Sequence, residues 1–147
     1  MTGSAPARHP SDSSEQRAAE ALILEALSRQ LGQPLDHKLT VEAGVKLDGF
    51  CDGTTPICVE VWAHQGSAKG GQPAKVMKDM CKLLLAERLL ERPCRKVIAV
   101  CDPQALAFMQ SSWTGMFARE FGIETICVAI DPTICNAVAQ AQKRQWR

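Results

Sequence analysis

None of the seven cysteines stands at CxxC spacing from another; they are scattered at 51, 58, 81, 94, 101, 127 and 135. That argues against a zinc cluster and against a disulfide framework. Most sit inside apolar runs, where a free cysteine behaves as a small hydrophobe, so the chain reads as a reduced, cytosolic protein. No segment approaches the length of a transmembrane helix, so no membrane partner is expected. Met1 to Ser14, rich in Ser, Pro and Ala, lacks the apolar core of a signal peptide and reads as a disordered tail. There is no excess of charge. Lys plus Arg is 17 against 16 for Asp plus Glu, which excludes a global basic field while leaving a local patch open. Neither G-x-G-x-x-G nor a Walker lysine motif occurs, so a nucleotide-binding fold lacks its usual anchor.

What remains is one globular domain over residues 15–147. The length of 147 residues suits a single core, and 46% hydrophobic with 22% charged residues is a globular composition. A helix is predicted from Ser14 or Glu15 to about Leu31, ended by Gly32 and Pro34. Its apolar face carries one misfit, Glu20, in line with Leu24, Leu27 and Leu31. The alternation in residues 38–45 predicts a half-buried strand, and a second strand follows from Lys46 to about Cys51. After a turn at residues 52–56, Ile57 to Ala63 is continuously apolar apart from Glu60, the pattern of a strand covered on both faces. A long helix is predicted over Gln72 to Glu91, with Pro73 in its first turn.

The last third alternates strand and helix. Lys96 to Cys101 is a buried strand, and Asp102-Pro103 opens a helix that runs to Gly122. Ile123 to Ile130 is another strand, and Asp131-Pro132 opens a final helix toward a basic end. The order α-β-β-β-α-β-α-β-α predicts an α/β fold, a mixed central sheet with helices on both faces.

Glu60 carries the functional argument. An ionised carboxylate buried in a central strand costs several kcal/mol unless a metal or a cation offsets it. Asp48, on the neighbouring strand, is the natural companion. Two carboxylates, a backbone carbonyl and waters make a site for magnesium or manganese, which generates hydroxide and stabilises phosphoryl charge. The plainer alternative is that Glu60 pairs with a nearby lysine and Asp48 merely opens a turn with Gly49. On the following helix Gln72, Lys75, Asp79 and Lys82 share one stripe, beside an apolar face of Val76, Met80, Leu83 and Leu84. That stripe suits the border of an active site and equally an ordinary amphipathic surface. Glu20 either joins the acidic pair or reaches solvent.

This order, with an Asp on the second strand, a Glu in the third and a Gln- and Lys-bearing helix next, resembles the PD-(D/E)xK (restriction-endonuclease-like) nuclease superfamily. The resemblance spans about Glu15 to Cys101, with the later α-β-α as an extension. It implies a hydrolase that cuts DNA, with Mg2+ or Mn2+ held by Asp48 and Glu60, Gln72 as the helix glutamine, and Glu20 as the first-helix acid of some members. The superfamily's lysine belongs two residues after the glutamate, where this sequence has Trp62. Some members supply it from elsewhere, so Lys75 is the first replacement, with Lys69 and Lys82 behind it. A lysine there orients the attacking water and offsets transition-state charge. Without one, the domain is a non-catalytic nucleic-acid or protein interaction module. A domain this small needs a homodimer or a larger complex to address both strands of a duplex.

Other features have two readings each. His64 is either a base or phosphate contact or a polar loop residue. Trp62 either stacks on a base or forms core beneath a helix. Asp102 and Asp131 either line a crevice at the strand ends or cap helices.

Overall fold

The computed structural model describes residues 14–41 and 44–145. The expected tail before Ser14 and the last two residues of the basic end lie outside that span. Among the described residues there are five strands and five helices, and no helix is long and apolar enough to cross a membrane.

Helix α1 spans Ser14–Leu31 and buries Gln16, Ala19, Ile23, Leu24 and Leu27, the one-sided spacing of a helix laid on a core. Gly32, at a φ of 66°, closes it. The Gly32 and Gln33 amides donate back to the Arg29 and Ser28 carbonyls, the reciprocal pattern that satisfies a helix's last acceptors. Strand β1 (Asp36–Thr40) is an exposed edge paired antiparallel with β2 (Lys46–Cys51). This corrects the expected strand over residues 38–45. The ladder skips Lys38, whose φ is 55°, and the chain turns back where Val41 N–H donates to the Val45 carbonyl at 2.7 Å. Of the apolar alternation there, Leu39 is a strand residue, Val41 and Val45 lie beyond the strand ends, and Ala43 is outside the described residues.

Strand β3 (Ile57–Trp62) is buried at every residue, pairing antiparallel with β2 and parallel with β4 (Arg95–Val100). Helix α2 (Gln72–Leu90) makes the crossover between the two parallel strands. It buries Val76, Met80, Leu83 and Ala86 at spacings that keep one face on the sheet. Strand β5 (Ile123–Cys127) adds a further parallel edge, giving the order β1-β2-β3-β4-β5. It is shorter than the expected Ile123 to Ile130, although Val128 N–H still donates to the Val100 carbonyl. Helix α5 (Pro132–Gln145) packs beside α1, joined by an Arg144–Glu15 ion pair at 3.2 Å. One core lies between the sheet and α1 with α5, the other beneath α2 and the helices that follow β4.

Those helices are α3 (Pro103–Gln110) and α4 (Ser112–Glu120), where a single helix was expected. Ser111 is extended and Ser112 sits at a φ of 50°, so the chain changes direction. The break is held by Arg119, which donates to the otherwise orphaned Gln110 carbonyl at 3.2 Å. It also needs Gly115. A Cβ there would stand 2.4 Å from the carbonyl carbon and oxygen of Gln110. Gly115→Ala is therefore expected to lower stability by about 1–3 kcal/mol through a clash with rigid backbone. Urea unfolding checks this, and an unchanged midpoint would show that the two helices do not need their close approach.

Candidate active site

Asp48 reaches the site through an irregularity in β2. The β2–β3 pairing stops at Gly49 opposite Val59. Leu47 and Phe50, three residues apart, both face the core beneath α2, so the two-residue alternation breaks between them, where the β1–β2 ladder skips Asp48 together with Lys38. The Asp48 side chain takes over where the ladder ends, its Oδ2 accepting from the Val61 amide at 2.9 Å. Gly49 lies under α1, where any side chain would meet Leu24. The Asp-Gly pair thus lets α1 close over the break in the ladder and aims the carboxylate beyond it.

Glu60, in the middle of β3, is 1% exposed. Its Oε1 contacts the Lys82 ammonium and has no other donor among the described residues. Glu60, Asp48, Glu20, Asp79, Lys75, Lys82 and His64 all line one cleft of about 160 Å³. Lys75, Asp79 and Lys82 come from a single face of α2, and Glu20 from the inner face of α1.

The electrostatics follow from burial and like charge. Burial, then the neighbouring Asp48 carboxylate, push Glu60 up to about 10 against the pull of Lys82. At neutral pH Glu60 therefore holds its proton, as a buried carboxyl beside a second carboxylate does. Burial also lifts Asp79 to about 6, with Lys82 opposing and Asp48 adding to the rise. Glu20 is raised by burial and by Asp48. Burial works against the charge on Lys82, but Glu60, Asp79 and Asp48 together raise its pKa.

His64, just beyond β3, is 5% exposed, with a glutamine amide nitrogen close to each ring nitrogen. The Gln72 side-chain Oε1 accepts from the Lys69 amide at 3.0 Å, which turns its Nε2 toward His64 Nδ1 at 3.3 Å. That leaves the imidazole proton on Nε2, where the neighbouring Gln16 Nε2, 3.4 Å away and directed also at Glu20, is itself a donor and does not accept it. Burial, with Lys75 assisting, depresses His64 to about 4 from 6.5. Below pH 6.5 the unfolded chain takes up a proton that the folded chain refuses until about 4, so stability falls across that window as pH drops. Relative to a His64→Asn variant, the protein is expected to lose about 3 kcal/mol on passing from pH 7 to pH 4. Parallel pH dependences of the two in urea unfolding would show that His64 titrates freely.

Lys69 is not brought to the carboxylates. With Gln72 it lines a separate, larger cleft of about 1090 Å³ that also includes Asp102 and Gln142. Lys75 stays at the outer end of the acidic cleft, its Nζ 6.0 Å from the centroid of the Trp62 ring. Trp62 is core: 2% exposed, packed beneath α2 and 4.5 Å from the His64 ring, so it offers no face to a base. Asp102 and Asp131 act as caps, accepting from the Gln104 and Thr133 amides at 3.1 and 2.9 Å. Gln16 was not anticipated, although its place four residues before Glu20, on the same inner face, is a readable signal.

Among the described residues no group of three or more His, Cys, Asp or Glu side chains is arranged to hold a metal ion. Two carboxylates are present, and a magnesium ion that keeps most of its waters needs only one or two. The sparsely bonded, buried Glu60 Oε1 beside Asp48 fits that requirement. No family model, curated protein or solved structure matches the chain.

Proposed function

We propose that this protein is a metal-dependent, nuclease-like domain that hydrolyses DNA phosphodiester bonds on a restriction-endonuclease-like scaffold. The observation that carries the reading is the meeting of Asp48 and Glu60, from adjacent antiparallel strands, in one cleft with the Lys82 ammonium against Glu60. The αβββαβ core, with its third and fourth strands parallel, supports the scaffold. Asp48 and Glu60 would hold Mg2+ or Mn2+, with Glu20 close by; bound there, the ion supplies Lewis acidity and a more acidic water. Lys82 offsets charge developing on the phosphoryl group, the task assigned from sequence first to Lys75. Seven free cysteines suit the reducing interior of a cell.

The test is cleavage of end-labelled DNA in magnesium by the wild type, Asp48→Ala and the Asp48→Ala/Glu60→Ala double variant. Both variants are expected to lose cleavage by about 10³-fold or more while keeping the wild-type circular dichroism. Equal cleavage by the double variant would sink the assignment. Because Glu60 must give up its proton to take a cation, magnesium affinity is expected to rise with pH.

A second reading is favoured by the Lys82–Glu60 contact itself, which can serve as an internal structural contact in a non-catalytic interaction module. Absence of magnesium and manganese binding at millimolar concentration, by calorimetry, would select that reading.

A further inference from the structure

The larger cleft is a built groove. Its walls are the β3–α2 loop with Gly66, Lys69 and Gly70, the start of α2, the start of α3, and the face of α5 bearing Gln142 and Lys143. The loop is pinned in place. The Gln65 amide donates to Gln142 Oε1 at 2.7 Å, Gln142 Nε2 donates back to the Gln65 carbonyl at 3.1 Å, and the Gly66 amide donates to Asp102. At about 1090 Å³ the groove lies at the upper limit of small-molecule sites, roughly 300–1,000 Å³, so it suits a stretch of polymer.

Its chemistry is that of an anion site. Lys69 and Lys143 form no ion pair among the described residues, whereas the one carboxylate on the wall, Asp102, already accepts from the Gly66 and Gln104 amides. Helix α2 opens onto the groove with Gly71 as its N-cap, no side-chain cap and no acidic residue in its first turn; the Gln72 amide is taken by the Lys69 carbonyl and Pro73 has none, so the helix start contributes the positive end of its dipole rather than free donors. Among the described residues no aromatic side chain lines the groove, so the contacts it offers are to the backbone of a ligand. Gln72 lines it and also bonds to His64, which lines the acidic cleft, so a single contact separates the two.

We infer that this groove holds the phosphate backbone of a single-stranded nucleic-acid segment leading away from the bond cut at Asp48 and Glu60, gripped by Lys69, Lys143 and the start of α2 without regard to sequence. The direction of the strand rests on the nuclease reading; the groove's affinity for the backbone does not. Two walls close enough to be bridged by Gln65 and Gln142 enclose one strand.

The test is fluorescence anisotropy of a labelled oligothymidylate of about twelve nucleotides, in EDTA so that nothing is cut, with the full chain and with Lys69→Gln/Lys143→Gln. The double variant is expected to bind about ten-fold more weakly. Its plot of log affinity against log salt should be shallower by about 1.4, at about 0.7 per single-strand phosphate contact released. Unchanged affinity and slope would overturn the inference. Equal competition by thymidine monophosphate at matched phosphate would also overturn it, by making the groove a mononucleotide pocket. So would duplex binding of the same strength and the same sensitivity to the two lysines. The two proposals fail separately. Cleavage with a KM indifferent to the double substitution would remove the groove and leave the nuclease. Lysine-dependent binding by a wild type that neither takes up magnesium nor cuts would do the reverse.

Discussion

Glu60→Gln is expected to abolish magnesium-dependent cleavage, by about 10³-fold or more, while the protein folds as well as the wild type and becomes comparatively more stable as pH rises. Glu60 is buried, and burial together with Asp48 holds its pKa near 10. At neutral pH the wild-type side chain is therefore largely a neutral carboxyl, and a glutamine of the same shape replaces it with its amide N–H available to Asp48. The unfolded chain ionises Glu60 above 4.5 and the folded chain holds the proton to about 10. Wild-type stability is thus lost as pH rises through that window, and the variant is spared the loss. Activity moves oppositely, because an amide lacks the charge that draws a divalent cation. Urea unfolding at about pH 5 and about pH 9, beside cleavage and magnesium calorimetry, reads all three effects. A variant that fails to fold would make Glu60 a structural partner of Lys82; one that cuts at the wild-type rate would move the chemistry elsewhere.

The parts of the fold legible in the sequence were those decided by local pattern. Helix α2 starts at Gln72 as expected and ends one residue early, because its four buried positions and its Pro73 start are all local. Strands β2 and β3 were equally clear, the latter from an unbroken apolar run. The misplacements came where a distant contact decides. Residues 103–121 carry an apolar stripe fit for one helix, and the break after Gln110 depends on Gly115 meeting the Gln110 backbone and on Arg119 taking its carbonyl. The alternation from Leu39 to Val45 reads as strand, yet a left-handed Lys38 and a turn after Val41 shorten it.

The site was legible through its violations. Glu60 stood out because a charge interrupts an apolar strand, and Glu20 because an acid interrupts an apolar helix face; both line the acidic cleft. Asp48 was placed on the right strand, but the break in alternation that re-aims it leaves no mark beyond an Asp-Gly pair. Gln16 and the contacts at His64 were hidden because they join α1, the end of β3 and α2 across sequence separations of 48 and 8. The choice among lysines turns on a geometric point. Spacing puts Lys75 and Lys82 on one face of α2, but it does not fix where along β3 each lies. Helix α2 runs back along β3, so the seven residues from Lys75 to Lys82 carry the chain about 10 Å from the Trp62 end toward Glu60.

Lys82→Met is accordingly expected to lower kcat by about 10²-fold with little change in KM, and Lys75→Met to cost far less. Lys82 is the ammonium that touches Glu60, and Glu60, Asp79 and Asp48 raise its pKa, so it remains charged at any working pH. The Lys75 Nζ stands against Trp62 at the outer end of the cleft. Methionine keeps the apolar stem of Lys82 packed on α2 and removes only the charge. The loss of a buried counter-charge is tolerable because Glu60 then holds its proton more firmly, a response open to a carboxyl and closed to a permanent ion. Saturation with magnesium separates the catalytic role from a structural one. Because Glu60 then holds its proton more firmly, magnesium binds the variant more weakly at neutral pH, and the catalytic role is read as a kcat that stays low once magnesium is saturating. A variant whose cleavage recovers at saturating magnesium would mean that Lys82 shapes the cleft, and a larger loss in Lys75→Met would return the assisting role to the outer lysine.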